Sequence, residues 1–401
     1  VTDGPHPMTS GAINRPSRLL YVVIEDWAFL LSRLPMARAA RDAGFEVHVA
    51  SNVNEGRAAI EAEGFVLHPI PFKRGGLSPL AAMRAVLAIR KIENAIDPAV
   101  VHHSALQCCV LGSLAALDRD FPIVNAITGL GYIFTSPSLL ARLLKQGMVL
   151  LLPWLLNRRH SNILVENPDD RDALLALGAR PERITLIPGS GVDADRLQPL
   201  PEPDGPITIG FVGRLLVDKG IRALVAAHDI LRTQGHNINL IIRGDPDPAN
   251  PASVSPDEVE SWIRRPGVAR LGYVDNIATL WRTAHIAVLP SHREGLPVAL
   301  MEAAACGRPL VATDAPGCRE ICIANQTGLL VPIEDPPALA SAILTLAQSR
   351  ELRARFGAAA RKLVEDKLSA HIIGRSIVEL YNKLSNEKRA ALSAAFSPPA
   401  R

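Results

Sequence analysis

The chain has 401 residues, of which 48% are hydrophobic and 21% charged, with a net charge of only +3. That length and apolar content support two domains with cores of their own and exclude a disordered chain, and the near-neutral balance argues against a nucleic-acid binder. The cysteines, Cys108, Cys109, Cys306, Cys318 and Cys322, are odd in number and lack paired metal-ligand spacing, so neither a disulfide framework nor a zinc site is expected.

Residues 1–17 are rich in Pro, Gly and polar side chains and are expected to be disordered, with no visible signal peptide. Residues 19–24 read as a strand, 35–43 as a helix ended by Gly44, and 45–50 as a second strand. This is the opening βαβ unit of a parallel sheet. Further strands are expected at 64–68, 100–102, 123–126, 162–165 and 185–187. Val101-His102-His103-Ser104 ends a strand expected to face a crevice. His102 or His103 is a candidate to contact a bound substrate or to accept a proton, against the plainer reading of a structural histidine at a strand end.

Two segments of this half combine basic and apolar residues. Lys73-Arg74-Gly75-Gly76 precedes a helix carrying Arg84, Arg90 and Lys91, which would attract anionic lipid or a carrier diphosphate if it is more than a solvated basic face. Residues 148–156 form the longest apolar run, broken by Pro153 and short of the ~18 residues that span a bilayer. With Arg142 and Lys145 before it, Arg158 and Arg159 after it, and Trp154 near the basic end, it suits a helix lying in a membrane interface. A buried helix of the first domain fits the same pattern.

A Pro- and acid-rich linker at 197–204 closes the first half. The second opens with a strand at 207–212, the loop Gly213-Arg214-Leu215-Leu216-Val217-Asp218-Lys219-Gly220 and a helix at 221–234. Arg214 offers a fork-shaped cation and Lys219 a point cation, a pairing suited to a diphosphate. Strands follow at 240–243, 269–271, 286–289 and 309–312. Asp245-Pro246-Asp247 looks like a metal-binding Asp-x-Asp. It lies in a Pro-rich loop, and Arg and Lys already offset phosphate charge, so no metal is expected to be required.

The richest stretch runs from Ser291 to Glu302. A strand closed by Pro290 leads into a loop with Glu294, the turn Gly295-Leu296-Pro297 and an apolar helix ending at Cys306-Gly307. Amides and the helix dipole at 295–297 favour a phosphate or sugar oxygen. Glu302, one turn in, leans back toward the helix start and can accept two hydrogen bonds from a ribose diol.

Gly210-Phe211-Val212-Gly213-Arg214, Asp218-Lys219-Gly220, the Glu294/Glu302 pair and Ala315-Pro316-Gly317-Cys318-Arg319-Glu320 occur in that order. Together they resemble retaining glycosyltransferases of family 4, closest to the capsule and O-antigen group of CapM/PglA-like enzymes, over residues 19–384. The resemblance implies an α/β GT-B fold of two doubly wound Rossmann-like domains facing each other across a cleft. An acceptor-binding domain would span 18–198 and a nucleotide-sugar domain 205–370. A helix at 371–385 would cross back to the first domain, followed by a flexible tail at 386–401.

The implied reaction moves a sugar, with retention, from a nucleotide diphosphate donor, UDP rather than GDP, to a hydroxyl of a polyprenyl-diphosphate-linked saccharide or related glycan. The setting implied is surface polysaccharide synthesis on the cytoplasmic side of the inner membrane, with peripheral contact, no cofactor and no nucleic acid. By resemblance Arg214 and Lys219, beside Gly213, hold the diphosphate and Glu302 the ribose. Glu294, Gly295, Leu296 and Pro297 orient the donor sugar, and Val274 in the loop 272–277 lies by the base. His102, His103, Gly129 and Tyr132 fall on the acceptor side. Glu294, Arg214, Lys219 and His103 are the catalytic candidates, Glu294 by positioning and not as a nucleophile.

The chain departs from the family's pattern in places. Ser104 stands in a His-x-His pattern, Gln107-Cys108 replaces Lys-Pro, Glu25-Asp26-Trp27 replaces a Gly-rich loop, and no His lies near Leu31-Ser32. Two alternatives therefore stand beside the transferase: a sugar-nucleotide epimerase of the same fold, and a non-catalytic partner that binds sugar nucleotide beside active transferases.

Overall fold

The computed structural model describes residues 16–72, 78–128, 148–149, 151–272 and 276–396, with side chains to residue 390. Two sheets divide the chain. The first holds β1 (Arg18–Glu25), β2 (Glu46–Asn52), β3 (Val66–Pro69), β4 (Val100–Ser104), β5 (Ile123–Ile127), β6 (Ser161–Val165) and β7 (Ile184–Leu186), in the order β3-β2-β1-β4-β5-β6-β7. The second holds β8 (Thr208–Val212), β9 (Asn239–Arg243), β10 (Val268–Leu271), β11 (Ile286–Leu289), β12 (Leu310–Thr313) and β13 (Gly328–Val331), in the order β10-β9-β8-β11-β12-β13. The pairings are parallel in both. Central strands such as β4, β5, β8 and β11 are buried along their whole length, because helices cover both faces of the sheet.

Strand order reverses between β1 and β4 in one sheet and between β8 and β11 in the other. Loops that diverge at such a reversal leave a crevice at the carboxyl ends of the strands. The four strand ends concerned carry Trp27, Ser104, Arg214 and Glu294.

The last helix, Ala370–Phe396, returns to the first domain. Its Ile373, Ile377, Tyr381 and Leu384 join a core with Leu19, Met36 and Val124. The Tyr381 hydroxyl lies 2.8 Å from that of Tyr21 and 2.6 Å from His102 Nδ1. The helix outruns the end expected at residue 385. Lys388 donates to the Pro98 carbonyl at 3.1 Å and Arg389 to Ser17 Oγ at 2.7 Å, which ties down the stretch expected to fray. Ser17, expected in a disordered segment, also accepts the Glu46 N–H at 3.0 Å, while residues 1–15 lie outside the described residues.

Other departures are local. A helix, Asp26–Ser32, begins directly at the end of β1, and β13 was not expected. Within the apolar run at 148–156, Leu152 and Leu156 pack against Ile127, Ile163 and Leu174, so this helical turn is largely buried. Trp154 remains 52% exposed, with the Arg158 guanidinium 5.2 Å from its ring centroid. Among the described residues no helix is long and apolar enough to cross a membrane.

Candidate functional site

The wall of the cleft on the second domain is built from the loops after β8 and β11. They brace each other: the His292 N–H donates to the Asp218 carbonyl at 2.8 Å. From the first loop, Lys219 Nζ reaches both oxygens of Glu294, at 2.5 and 2.6 Å. Ser291 Oγ lies 2.7 Å from Glu294 Oε1. Arg214 Nη1 donates to Asp247 Oδ2 at 2.7 Å, and its guanidinium carbon sits 6.0 Å from the centroid of the Trp27 ring across the cleft. Each phosphate candidate is thus paired with an acid in this structure.

The Glu294 turn is held from behind by the Ala315-Pro316-Gly317 segment. The Glu294 N–H donates to the Pro316 carbonyl at 3.0 Å. Gly317 has φ +77°, and a Cβ there would lie 2.5 and 2.6 Å from the Gly295 and Glu294 carbonyl oxygens, so only glycine fits. The cleft helix, Val298–Ala305, starts one residue later than expected, with Pro297 at its N-cap (φ −72°, ψ 114°). Pro297 has no N–H, so it shapes the turn without supplying an amide of its own. Glu302 lies one turn into this helix, half-buried. Burial pushes its carboxyl up to about 7, with Arg243 and Arg196 pulling the other way.

The first domain clasps the same turn, which the sequence reading missed. Asn167 Nδ2 donates to the Gly295 carbonyl at 2.7 Å. The carboxylate of buried Glu166 accepts the Leu296 N–H and pairs with Arg33 Nη2 at 3.1 Å. Burial raises the Glu166 carboxyl above its ordinary value, against the pull of Arg33. A Cβ on Gly295 would come within 2.5 Å of Glu166 Oε2, so this glycine sets how closely the domains meet. Arg293 pairs with fully buried Asp170, and Arg33 Nε donates to Ser104 Oγ at 3.0 Å. The local signal was Asn167-Pro168-Asp169-Asp170, a helix start whose Asn side chain caps Asp170 N–H at 2.8 Å and also reaches across the cleft.

The two histidines do not open onto the cleft. Each is 0% exposed. His102 is turned toward Tyr381, and His103 Nδ1 lies 2.9 Å from Asn125 Oδ1. Burial lowers the His103 imidazole to about 4 and that of His102 well below its usual value. A central parallel strand buries both of its faces, so alternate positions give no route to solvent, and the acid–base expectation for His103 is corrected on that ground. Ala105, next along, holds φ 75° and ψ 153°, a strained turn that starts the helix Leu106–Ala115 bearing Gln107. Gly129, Tyr132 and Val274 lie outside the described residues.

Of the Asp-x-Asp pair, Asp245 is engaged by Arg270 and Asp247 by Arg214. Among the described residues no group of three His, Cys, Asp or Glu side chains is placed to hold a metal ion.

A family model described as glycosyl transferase 4-like matches residues 18–167, and one described as glycosyl transferases group 1 matches residues 206–349. The chain is 23% identical over 356 residues to the capsular polysaccharide biosynthesis glycosyltransferase CapM of Staphylococcus aureus, covering 86% of this chain and 92% of that one. It is 24% identical over 369 residues to the N,N'-diacetylbacillosaminyl-diphospho-undecaprenol alpha-1,3-N-acetylgalactosaminyltransferase of Campylobacter jejuni, covering 88% and 95%. Anabaena HepE in complex with UDP-glucose superposes with a TM-score of 0.75 at 18% identity, over 91% of this chain and 99% of that one. The chain belongs to the GT-B glycosyltransferases, with a glycosyl transferase 4-like first domain and a group 1 second domain.

Proposed function

We propose that this glycosyltransferase moves a sugar, with retention of anomeric configuration, from a UDP-sugar to a hydroxyl of a lipid-linked saccharide at a membrane surface, without a bound metal. The observation that carries the reading is the Lys219–Glu294 pair at the foot of the cleft helix, with Arg214 on the same wall. An arriving diphosphate exchanges for Asp247 on Arg214 and for Glu294 on Lys219. Glu294 is then free to accept a hydrogen bond from the donor sugar, and Glu302 accepts from the ribose. When the anomeric bond breaks, negative charge collects on the departing diphosphate. Arg214, Lys219 and the amides at the helix start are already positioned there, so little reorganisation is needed. The acceptor hydroxyl approaches from the face the diphosphate leaves.

The donor and acceptor classes draw on the printed activities of the relatives, one a capsule enzyme and one acting on an undecaprenol-linked sugar, and on the UDP-glucose complex of the structural neighbour. Membrane contact draws on the helix Pro79–Ile96. Its Ala85, Ile89 and Ile96 are buried, while Leu80, Met83 and Leu87 are 60, 59 and 58% exposed beside exposed Arg84 and Lys91.

The test is a screen of nucleotide sugars against membrane extract, with lipid products separated, for wild type and Glu294→Gln. Label moving from a UDP-sugar to lipid in wild type alone supports the reading. A new epimer formed without acceptor would replace it with an isomerase. Loss of transfer in EDTA, restored by Mn²⁺, would overturn the metal-free part.

A further inference from the structure

We infer that Trp27, flanked by Glu25 and Asn54, is a stacking subsite for a pyranose ring of the acceptor; this rests on the proposed transfer to a saccharide. The three residues stand at the carboxyl end of the first sheet, where β1 and β2 stop. Their mount is rigid. The Asp26 carboxylate, fully buried, accepts the backbone N–H groups of Trp27 at 2.7 Å, Asn54 at 2.6 Å and Gly56 at 2.9 Å. On that base Trp27 is left 40% exposed, and Leu31, one helical turn on, is 55% exposed.

An exposed indole on a fixed base is an apolar plate, and its surroundings are polar. Glu25 Oε2 accepts from Asn52 Nδ2 at 2.9 Å and from Asn54 Nδ2 at 2.6 Å. Those bonds leave lone pairs on the carboxylate and on the exposed Asn54 amide for further partners. A pyranose ring has the matching character: one face of C–H groups for the indole, and hydroxyls at its rim for the acid and amide. A ring-free polyol lacks the first feature.

Location points to the acceptor. Arg214 belongs to the donor wall, and its guanidinium carbon is 6.0 Å from the Trp27 ring centroid. A sugar lying against Trp27 is therefore close to where the donor's bond to the diphosphate breaks, on the opposite domain. The ribose candidate Glu302 lies on the second domain with Arg214, so the nucleotide is expected to keep to that wall.

The test uses full-length protein saturated with UDP, and methyl pyranosides of glucose, galactose, N-acetylglucosamine and N-acetylgalactosamine as probes, with glycerol as the ring-free control. Saturation-transfer NMR reads ring C–H contact, calorimetry reads UDP affinity, and circular dichroism melts check folding. At least one pyranoside, and not glycerol, should show ring-proton transfer in wild type. The signal should fall about tenfold in Trp27→Ala and return in part in Trp27→Phe, while UDP affinity moves by less than about threefold. Equal signals in wild type and Trp27→Ala, or none from any pyranoside, would overturn the subsite and leave the donor reading intact. UDP affinity falling in step with the pyranoside signal would assign Trp27 to the nucleotide instead. Wild-type protein that does not bind UDP would sink the proposed function itself.

Discussion

Lys219 Nζ lies 2.6 Å from Glu294 Oε2, joining the loop after β8 to the loop after β11 across 75 residues of sequence. The cation proposed for the leaving group and the acid proposed for the sugar neutralise each other in this structure. On the proposed function, donor binding separates them and unmasks each charge for its substrate partner.

That coupling predicts different outcomes at the two acids. Glu294→Ala should lower sugar transfer by about 10²–10³-fold, with a much smaller effect on UDP affinity, because its contact with the donor sugar is needed at the transition state. Glu302→Ala should weaken UDP binding by about tenfold through loss of a charged hydrogen bond to the ribose. Calorimetry with UDP and initial rates with the matched donor separate the two. Unchanged UDP affinity and transfer in both variants would count against the assignment.

Glu302 also gives a pH signature. Its folded carboxyl titrates at about 7 against 4.5 for an exposed glutamate, chiefly through burial. Between those values the native protein holds a proton that the unfolded chain has lost. The contribution of this group to stability therefore falls as pH rises from about 4.5 to about 7, and is flat above. A ribose diol donates best to the ionised form, so binding should release a proton near pH 6.5 or below. The log affinity for UDP-glucose, whose diphosphate does not titrate in this range, should climb with pH and level off above about 7. Glu302→Gln should flatten the curve. A wild-type profile already flat would remove the ribose role.

The interdomain clasp makes a stability prediction. Arg33 and Glu166 form an ion pair with side chains 3% and 6% exposed. Arg33→Met leaves a buried carboxylate without its cation and should cost about 3–5 kcal/mol. Arg33→Met combined with Glu166→Met should cost less than Arg33→Met alone, since no charge is then stranded. Denaturant melts of Arg33→Met, Glu166→Met and the double variant decide it, and additive losses would show that the pair is not coupled.

How much of this could be read from the chain depends on whether the signal was local. The run from Ile286 to Glu302 announced itself, because an apolar strand, a Gly-Leu-Pro turn and a helix follow within one short stretch. The strand, loop and helix that carry Arg214 and Lys219 were legible for the same reason. The clasp was not: Asn167 and Gly295 are 128 residues apart, and nothing at either position names the other. For His102 and His103 the place at a strand end left a cleft role and a structural role open, and only the packing of helices and Tyr381 over both faces of β4 favours the structural one. The helix at Asp26 was not expected where Glu25-Asp26-Trp27 replaces a Gly-rich loop. The structure uses the Asp26 carboxylate to tie down three backbone amides.

The exposed face of Pro79–Ile96 supplies the last prediction. Leu80, Met83, Arg84, Leu87 and Lys91 recur at helical spacing on the side turned away from the core, so three large apolar side chains and two cations share one surface. Water leaves each of those side chains underused: moving one fully into an apolar layer yields about 1.5–3 kcal/mol, and each cation near an anionic bilayer adds about 1 kcal/mol. Partial insertion of all three should therefore hold the protein on vesicles of mixed phosphatidylglycerol and phosphatidylcholine. Leu80→Ser, Met83→Ser and Leu87→Ser together should lower the bound fraction in co-sedimentation by about 100-fold in partition coefficient, with an unchanged melt. Arg84→Gln with Lys91→Gln should weaken binding less, and salt should weaken wild type but hardly affect this double variant. If the triple variant sediments with vesicles as well as wild type does, this face does not meet the membrane.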